Sequence, residues 1–312
     1  MDQNISFSFV MPAYKIRFLN KAIDSILRQR YTDFELIIIN DASPDDLGGI
    51  IEQFSDKRIK YHVSEKNLGG KDLIAFWNHC LKYARNEYII LATDDDTFEE
   101  EFLSDAVKLI KKYPEVNVLR SGVKKIDENE KVLDIEFPAK EYMDEREFML
   151  YYAKGCTISC VSNYIFKRSA LEETGGFKVF PRGHYSDDAT VLANLQNGIA
   201  CIPYNRMHFR VSSINLSNQC NIHIVLDQIK ATKMFMDFFM ERVEILNHDP
   251  SDFFKTACYG GYKSKYMTMV TQLLSKIPLT KIHLVAKTIW CNTQLFKKDK
   301  LRLTANYFIS KT

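Results

Sequence analysis

The first third of the chain alternates between short apolar runs and longer amphipathic stretches. Apolar runs at residues 6–12, 34–40, 58–63 and 87–93 predict strands, and the continuous run 34–40 is typical of a strand buried on both faces. Between them, apolar residues recur at helical spacing over 18–30, about 71–84 and about 99–112. Repeated strand–helix units of this length predict a mostly parallel sheet with helices on both faces, an α/β fold.

The pattern changes twice further along the chain. From 116 to 215 it is irregular, with short strands, including 159–167, 199–203 and 205–211, and helices at 144–153 and 187–197. After about residue 220 it predicts helices almost to the end, broken at 248–250, at Gly260-Gly261 and at Pro278. The chain therefore divides into an α/β part and a helical C-terminal extension.

Composition narrows the class of protein. The 312 residues are 46% hydrophobic and 26% charged, with 12 Gly and 8 Pro, which fits a globular protein and excludes collagen-like and low-complexity classes. The seven cysteines show no C-x-x-C spacing, so free thiols are expected. With neither a signal-peptide pattern nor an apolar stretch of roughly 18 residues, we expect a cytoplasmic protein.

Charge is unevenly distributed along the chain. The total is +2, which argues against a dedicated nucleic-acid binder. Residues 255–312 hold eleven Lys or Arg residues and one acidic residue, so this segment carries +10 and residues 1–254 carry −8. A basic, aromatic, helical segment is typical of contact with an anionic membrane surface, and equally of a solvated face on a helical subdomain.

Acidic residues follow two of the predicted strands. Asp41 comes after the strand 34–40, and Asp94, Asp95 and Asp96 come after the strand 87–93. Ligands bind beyond the carboxyl ends of strands in a parallel sheet, and clustered carboxylates there favour a divalent cation such as Mn²⁺ or Mg²⁺. The alternative is a helix start with Asp96 or Thr97 as its N-cap, which explains one aspartate but not three.

Several short motifs follow one another along the first two thirds of the chain. They are Val10-Met11-Pro12-Ala13-Tyr14, residues 37–46 (IIINDASPDD), Asn67-Leu68-Gly69, residues 88–96 (YIILATDDD), Gly175-Gly176-Phe177, Asp187-Asp188 and Phe209-Arg210-Val211 with Ser217. In these motifs and their order the chain resembles the family 2 glycosyltransferases of the GT-A fold. The resemblance covers residues 5 to about 217, so we predict a GT-A domain over 1–217 and a basic helical region over 218–312. Asn40 and Ala42 depart from the family's Asp-Asp-Gly-Ser element, and Thr93 stands at its first metal-motif aspartate.

The resemblance implies a nucleotide-sugar site. Asp41 would accept a hydrogen bond from the base, most often uracil, in a pocket shaped by Pro12, Ala13 and Tyr14. The other residues implied at the donor are Asn67, Gly69, Lys71 and Asp94. Lys71 would replace a diphosphate-binding arginine that the family has and this chain lacks.

The resemblance also implies a metal site beside the diphosphate. Asp95 would hold a Mn²⁺ or Mg²⁺ ion, with Asp96 as a neighbouring ligand. The closing segment has Ser212 where the family often has a histidine, and His184 is a candidate to compensate. A lone loop histidine is more often simply exposed.

The resemblance places the catalytic base at Asp188, with Asp187 beside it. A positioned carboxylate can take the proton of an acceptor hydroxyl as the bond to the anomeric carbon forms. The alternative is that both aspartates merely open the helix 187–197 and complement its dipole.

The motif residues and the resemblance together predict a metal-dependent glycosyltransferase, and the resemblance implies that it inverts the anomeric centre. It would move a sugar, most often from a UDP-sugar, to a saccharide or lipid-linked saccharide of a cell-surface glycan. We expect it in the cytoplasm, with residues 255–312 as a candidate for peripheral contact with the inner face of the membrane. The alternative is a catalytically degenerate GT-A domain that only binds nucleotide or glycan.

Overall fold

The computed structural model describes residues 5–213, 221–248, 253–291 and 295–311. The described residues form two compact units. The first comprises 5–148, 157–179 and 186–212, and the second comprises 149–156, 180–185 and the described residues from 213 onward. Ser217 and the predicted boundary beside it lie outside the described residues.

The first unit is built on one mixed sheet, whose strands within the described ranges are β1 Phe7–Ala13, β2 Phe34–Asn40, β3 Ile59–Val63, β4 Tyr88–Leu91, β5 Thr97–Phe98, β6 Val118–Ile126, β7 Val132–Ile135, β8 Tyr142–Met143, β9 Tyr164–Lys167 and β10 Ile199–Arg210. Its helices are α1 Leu19–Leu27, α2 Leu47–Ile51, α3 Leu73–Leu81, α4 Phe102–Lys112, α5 Glu145–Ala153 (whose last residues belong to the second unit), α6 Arg168–Glu173 and α7 Ser186–Ala193.

The sheet order is β3-β2-β1-β4-β9-β6-β10-β5. Strands β3, β2, β1 and β4 run parallel, and β9 joins this half antiparallel to β4 and β6. The register sets Ala13 opposite Asn40 and Val10 opposite Leu91, so the carboxyl ends of β1, β2 and β4 meet at one edge. All seven residues of β2 are buried, as its continuous apolar run predicts. The predicted α/β class is confirmed.

Two predicted strands are one strand in the structure. β10 runs from Ile199 to Arg210, and its pairing with β6 shifts register between Ile202 and Met207. Pro203 lies inside this shift and supplies no backbone N–H to a ladder, so the irregularity accommodates it without ending the strand. The predicted strand over 159–167 is shorter than expected, because a 3₁₀ turn at Val161–Asn163 precedes β9.

The second unit is helical, with α8 Ile222–Leu246, α9 Phe254–Ser275, α10 Ile282–Trp290 and α11 Lys297–Ile309. Its core is aromatic: the ring of Phe235 stacks on Tyr185 at 4.7 Å, and Phe239 stacks on Tyr262 at 4.8 Å. Among the helices described, none is both long enough and apolar enough to cross a membrane.

The predicted break at Gly260-Gly261 is wrong, because α9 continues through both glycines. A Cβ added at Gly261 would lie 2.9 Å from the carbonyl oxygen of Ala153. Gly261 is therefore explained by the close approach of another segment of the second unit, not by a turn.

Candidate active site

The candidate site lies where β1, β2 and β4 end, and it begins with Asp41. Its backbone N–H donates to the carbonyl of Ala13 at 2.9 Å, which extends the pairing of β2 with β1. Its two carboxylate oxygens accept from the backbone N–H groups of Leu68 (2.7 Å) and Gly69 (2.8 Å). Asp41 therefore fixes the loop after β3, and each oxygen retains a second lone pair for a further donor.

The loop 67–70 needs its small residues. A Cβ on Gly69 would lie 2.9 Å from Oδ2 of Asp41. Asn67 donates through Nδ2 to the Asp41 carbonyl at 3.1 Å and accepts from Gly70 N–H through Oδ1 at 2.7 Å. Asn67 and Gly69, both predicted at the donor site, thus shape the loop beside Asp41, and Lys71 is exposed directly after it.

A turn after β2 is held against the end of β1. The Ser43 hydroxyl donates to the Tyr14 carbonyl at 2.6 Å, and Ser43 N–H donates to Oδ1 of Asn40 at 2.8 Å. Ala42 has φ = 51°, in the left-handed region that favours glycine. The family's glycine at this position thus has a physical reason, and the alanine here adopts the same backbone conformation at a cost.

Asp94 connects β4 to the end of β1. Its Oδ2 accepts from the backbone N–H groups of Tyr14 (2.8 Å) and Lys15 (2.7 Å). Burial raises the pKa of Asp94, and the nearby Lys15 ammonium opposes the rise. Asp94 thereby fixes the backbone of Tyr14, a residue of the predicted nucleotide pocket that is 44% exposed.

Asp95 is paired with a lysine that our sequence reasoning missed. Nζ of Lys15 lies 2.7 Å from Oδ2 of Asp95 and 3.4 Å from Oδ1 of Asp94. Burial alone would lower the pKa of Lys15, but the two carboxylates outweigh it and raise that pKa. The signal available in the sequence was a lysine directly after Pro12-Ala13-Tyr14.

Asp96 points into the fold. Its Oδ2 accepts from the hydroxyls of Thr93 (2.7 Å) and Ser162 (2.9 Å), and its Oδ1 accepts from Arg210 N–H at 3.0 Å. Burial, together with the charge of Asp95, raises the pKa of Asp96 to about 7. Both oxygens of Asp96, predicted as a neighbouring metal ligand, are thus engaged by protein donors.

The positions of these aspartates show whether a divalent metal ion could bind among them. Over the described ranges, no three His, Cys, Asp or Glu side chains group as a complete metal-binding cluster. Asp94 and Asp95 nevertheless hold the Lys15 ammonium between them, which shows that their oxygens accommodate a positive charge. Oxygen donors of this kind suit Mg²⁺ or Mn²⁺.

Asp187 and Asp188 stand in the first turn of α7. Oδ1 of Asp187 accepts from the adjacent Asp188 N–H at 3.0 Å, and both carboxylates lie where the helix dipole favours negative charge, as the alternative expects. Asp188 itself is 9% exposed, and its buried Oδ1 has no hydrogen-bond partner among the described residues. A buried carboxylate oxygen left without a donor is costly, so capping alone does not account for Asp188.

His184 belongs to the second unit, whereas Asp95 and Asp188 belong to the first. Its ring packs edge-on against Tyr185 at 4.5 Å.

The Gly-Gly-Phe segment is fastened to α3. Asn78 accepts from Phe177 N–H at 2.7 Å and donates to its carbonyl at 3.0 Å, and a Cβ on Gly176 would lie 2.4 Å from Oδ1 of Asn78. The ring of Trp77 packs edge-on against Phe177 at 5.5 Å. Asn78, which we did not predict, thus holds the turn that leads toward α7.

Residues 8–175 match the model of glycosyl transferase family 2, and the chain belongs to that family. One relative is the GalNAc(5)-diNAcBac-PP-undecaprenol β-1,3-glucosyltransferase of Campylobacter jejuni. Its sequence is 25% identical to this chain, and the alignment covers 95% of this chain and 97% of the relative. A second relative is the poly(ribitol-phosphate) β-N-acetylglucosaminyltransferase TarS of Staphylococcus aureus. It is 29% identical to this chain over 110 residues, which are 34% of this chain and 19% of TarS. The relatives are transferases, and this chain is a glycosyltransferase.

Solved structures share the fold. The structure of S. aureus TarS 1–349 in complex with UDP-GlcNAc aligns with 98% of this chain and 89% of its own, with a TM-score of 0.63 at 14% identity. A mannosyltransferase from Pyrobaculum calidifontis in complex with GDP-Man and Mn²⁺ aligns with 97% of this chain and 85% of its own, with a TM-score of 0.53 at 16% identity. At these identities the likeness establishes the GT-A fold, as predicted.

Proposed function

We propose that this glycosyltransferase moves a sugar from a UDP-sugar to a saccharide or lipid-linked saccharide, with inversion and with a divalent metal. The observation that carries the proposal is the meeting of Asp41, Asp94 and Asp95 at the carboxyl ends of β1, β2 and β4. This is the edge at which parallel sheets bind their ligands. Two neighbours in fold were solved as complexes, one with UDP-GlcNAc and the other with GDP-Man and Mn²⁺, which supports a nucleotide-sugar donor.

The donor pocket would use Asp41 for the base. Its carboxylate is already oriented by Leu68 and Gly69, so accepting from an imide N–H of uracil needs no reorganisation. Pro12, Ala13 and Tyr14 would shape this pocket, and Lys71, exposed two residues before α3, would supply a positive charge for the diphosphate.

Asp95, with Asp94 beside it, would hold the metal. A bound Mn²⁺ or Mg²⁺ supplies Lewis-acid stabilisation of the departing diphosphate. Asp96 keeps the segment in place through Thr93, Ser162 and the Arg210 backbone, and Lys15 neutralises Asp95 until the donor site is filled.

Asp188 would act as the base. Its unpartnered Oδ1 takes the proton of an acceptor hydroxyl while that oxygen bonds to the anomeric carbon and the bond from this carbon to the diphosphate oxygen breaks. A single displacement of this kind inverts the anomeric centre. The nucleoside diphosphate leaves with the bonding electrons.

The names of two relatives support the proposed acceptor class. The C. jejuni relative is named for an undecaprenol-linked saccharide, and TarS for a poly(ribitol-phosphate). We infer a saccharide acceptor of a cell-surface glycan, carried on a polyprenyl diphosphate, with the enzyme peripheral to the membrane through residues 255–312.

The donor is tested by thermal shift with UDP-GlcNAc, UDP-glucose and GDP-mannose, each with Mn²⁺ and with EDTA. We expect a UDP-sugar to raise Tm, and more so with Mn²⁺. If no nucleotide sugar raised Tm in either condition, the donor assignment would fail.

The catalytic role is tested with Asp188→Asn. We expect a donor-induced Tm shift equal to that of the wild type and a loss of transfer of about 100-fold or more, because the base is gone and the pocket intact. Transfer is measured as UDP released with polyprenyl-diphosphate saccharides. The control is Asp134→Asn, which removes an exposed carboxylate on β7 and should transfer as the wild type does. Donor binding without transfer by the wild type on every acceptor would favour the binding-module alternative.

A further inference from the structure

Helix α11 turns an apolar stripe toward solvent. Its buried side carries Leu303 and Tyr307, which pack in the second unit. The opposite side exposes Leu301, Ala305 and Phe308, which follow one another at spacings of four and three residues, with Ile309 beside them. A helix on the surface of a water-soluble protein normally presents polar residues on its exposed side.

Helix α10 repeats the arrangement. It buries Val285 and Ile289 and exposes Ile282, Ala286 and Trp290, which are four residues apart and form one line along the helix. The large apolar side chains of both stripes expose between 41% and 69% of their surface. The two helices pack against each other, and Nζ of Lys300 donates to the Trp290 carbonyl at 2.9 Å, which caps the end of α10.

The charge around these stripes has one sign. The sequence from 279 to 311 contains seven Lys or Arg residues and a single acidic residue, Asp299. Asp299 is buried and lies 2.6 Å from Nζ of Lys263, so its charge is already compensated. The exposed charged side chains beside the stripes are Lys281, Lys287, Lys297, Lys298 and Arg302.

Two of these lysines are unfavourable for the helix itself. Lys297 and Lys298 begin α11, where the helix dipole favours negative charge. Their position is therefore not explained by the stability of α11. A negatively charged partner outside the chain would compensate both lysines.

We propose that the α10–α11 face, defined by Ile282, Trp290, Leu301, Phe308 and Ile309 with the five exposed basic residues, docks on an anionic lipid bilayer. Apolar stripes bordered by lysine are the pattern of helices that lie in the membrane interface, with each basic residue drawn to the anionic headgroups. With 13 residues, α11 is about 20 Å long and lies flat on the surface.

A second copy of the chain fits this face less well. A two-fold contact would bring the same five positive side chains of each copy together, and like charges in an interface oppose association. The bilayer satisfies both features at once, since it offers apolar chains and negative charge. The membrane contact would give the enzyme access to a lipid-linked acceptor, and in this respect alone the inference rests on the proposed function.

The full chain tests the proposal through its own fluorescence. The sequence has two tryptophans, and Trp77→Phe leaves Trp290 as the only one. On vesicles of phosphatidylcholine with phosphatidylglycerol we expect a blue shift of Trp290 emission and quenching by brominated lipid. On pure phosphatidylcholine we expect binding at least tenfold weaker.

Matched variants separate the apolar from the charged contribution. Leu301→Ser/Phe308→Ser and Lys297→Gln/Lys298→Gln should each weaken vesicle binding at least tenfold, and only the lysine pair should reduce its salt dependence. Val63→Ser, exposed on β3, and Lys57→Gln/Lys111→Gln, exposed in the first unit, should bind as the wild type does. Circular dichroism and Tm confirm that each variant is folded.

Three results would overturn the proposal: no binding to anionic vesicles, bound protein with unchanged Trp290 emission, or a self-association that Leu301→Ser/Phe308→Ser abolishes. Donor-induced Tm shifts, recorded without vesicles, should be the same in all variants. Loss of vesicle binding with retained donor shifts refutes the membrane face alone, and retained vesicle binding without any donor shift refutes the donor assignment alone.

Discussion

At the scale of single residues, the ammonium of Lys15 lies against Asp94 and Asp95, the carboxylates proposed to hold the metal. We expect Lys15→Met to bind Mn²⁺ about tenfold more tightly than the wild type, because a competing cation 2.7 Å from Asp95 is gone. Without metal, the free energy of unfolding should fall by about 1–3 kcal/mol, because two buried carboxylates lose their counter-charge.

Calorimetric titration with Mn²⁺ and urea unfolding in EDTA measure these two quantities. Lys57→Met, which removes an exposed lysine, is the matched control. Unchanged or weaker Mn²⁺ affinity in Lys15→Met would show that the lysine does not compete for the carboxylates.

Ala42 is a second residue of interest, because its backbone conformation determines how a substitution there changes stability. Because its φ of 51° is strained for alanine, Ala42→Gly should raise the free energy of unfolding by about 0.5–1 kcal/mol. Ala75→Gly, at an exposed position of α3, should lower it by up to about 1 kcal/mol. Chemical denaturation measures the free energy of unfolding of both variants. A lower value for Ala42→Gly than for the wild type would show that alanine is not strained at this turn.

At the scale of elements, α9 contains two adjacent glycines at which we expect alanine to have opposite effects on stability. Gly260 has open space around its Cβ position, so Gly260→Ala should stabilise the helix by up to about 1 kcal/mol. Gly261→Ala would place a methyl group 2.9 Å from the Ala153 carbonyl and should destabilise by about 1–3 kcal/mol. Equal effects in urea unfolding would mean that α5 does not approach α9 this closely in solution.

At the scale of the whole molecule, Asp96 makes stability depend on pH. Its folded pKa of about 7 lies above its ordinary value, so its contribution is fully present below pH 4 and is lost as pH rises through about 7. In Asp96→Asn the amide keeps the shape and cannot ionise. The variant should therefore gain stability relative to the wild type between pH 5 and pH 8.

Urea unfolding in EDTA at several pH values gives this difference. Curves for wild type and variant that run parallel over that range would contradict the raised pKa.

The sequence alone supported much of the fold and part of the site. Apolar runs and helical spacing are local, so β1 to β4 and the helices between them could be predicted, and Asp41 and Asp94–Asp96 could be placed at strand ends. Prediction failed where one element meets another: β10 continues through Pro203 because β6 pairs with it on both sides of the shift. The same holds for α9, where Ala153 explains what looked like a turn.

What the sequence by itself determined is therefore the family, the order of strands and helices, and which carboxylates gather at the sheet edge. Only the tertiary structure decided which partners each carboxylate has. Lys15 reaches Asp95 across 80 residues, Ser162 reaches Asp96 across 66, and the Arg210 backbone reaches it across 114. Periodicity records which face of an element is buried, whereas hydrogen-bond partners depend on distances and directions that exist only once the chain has folded.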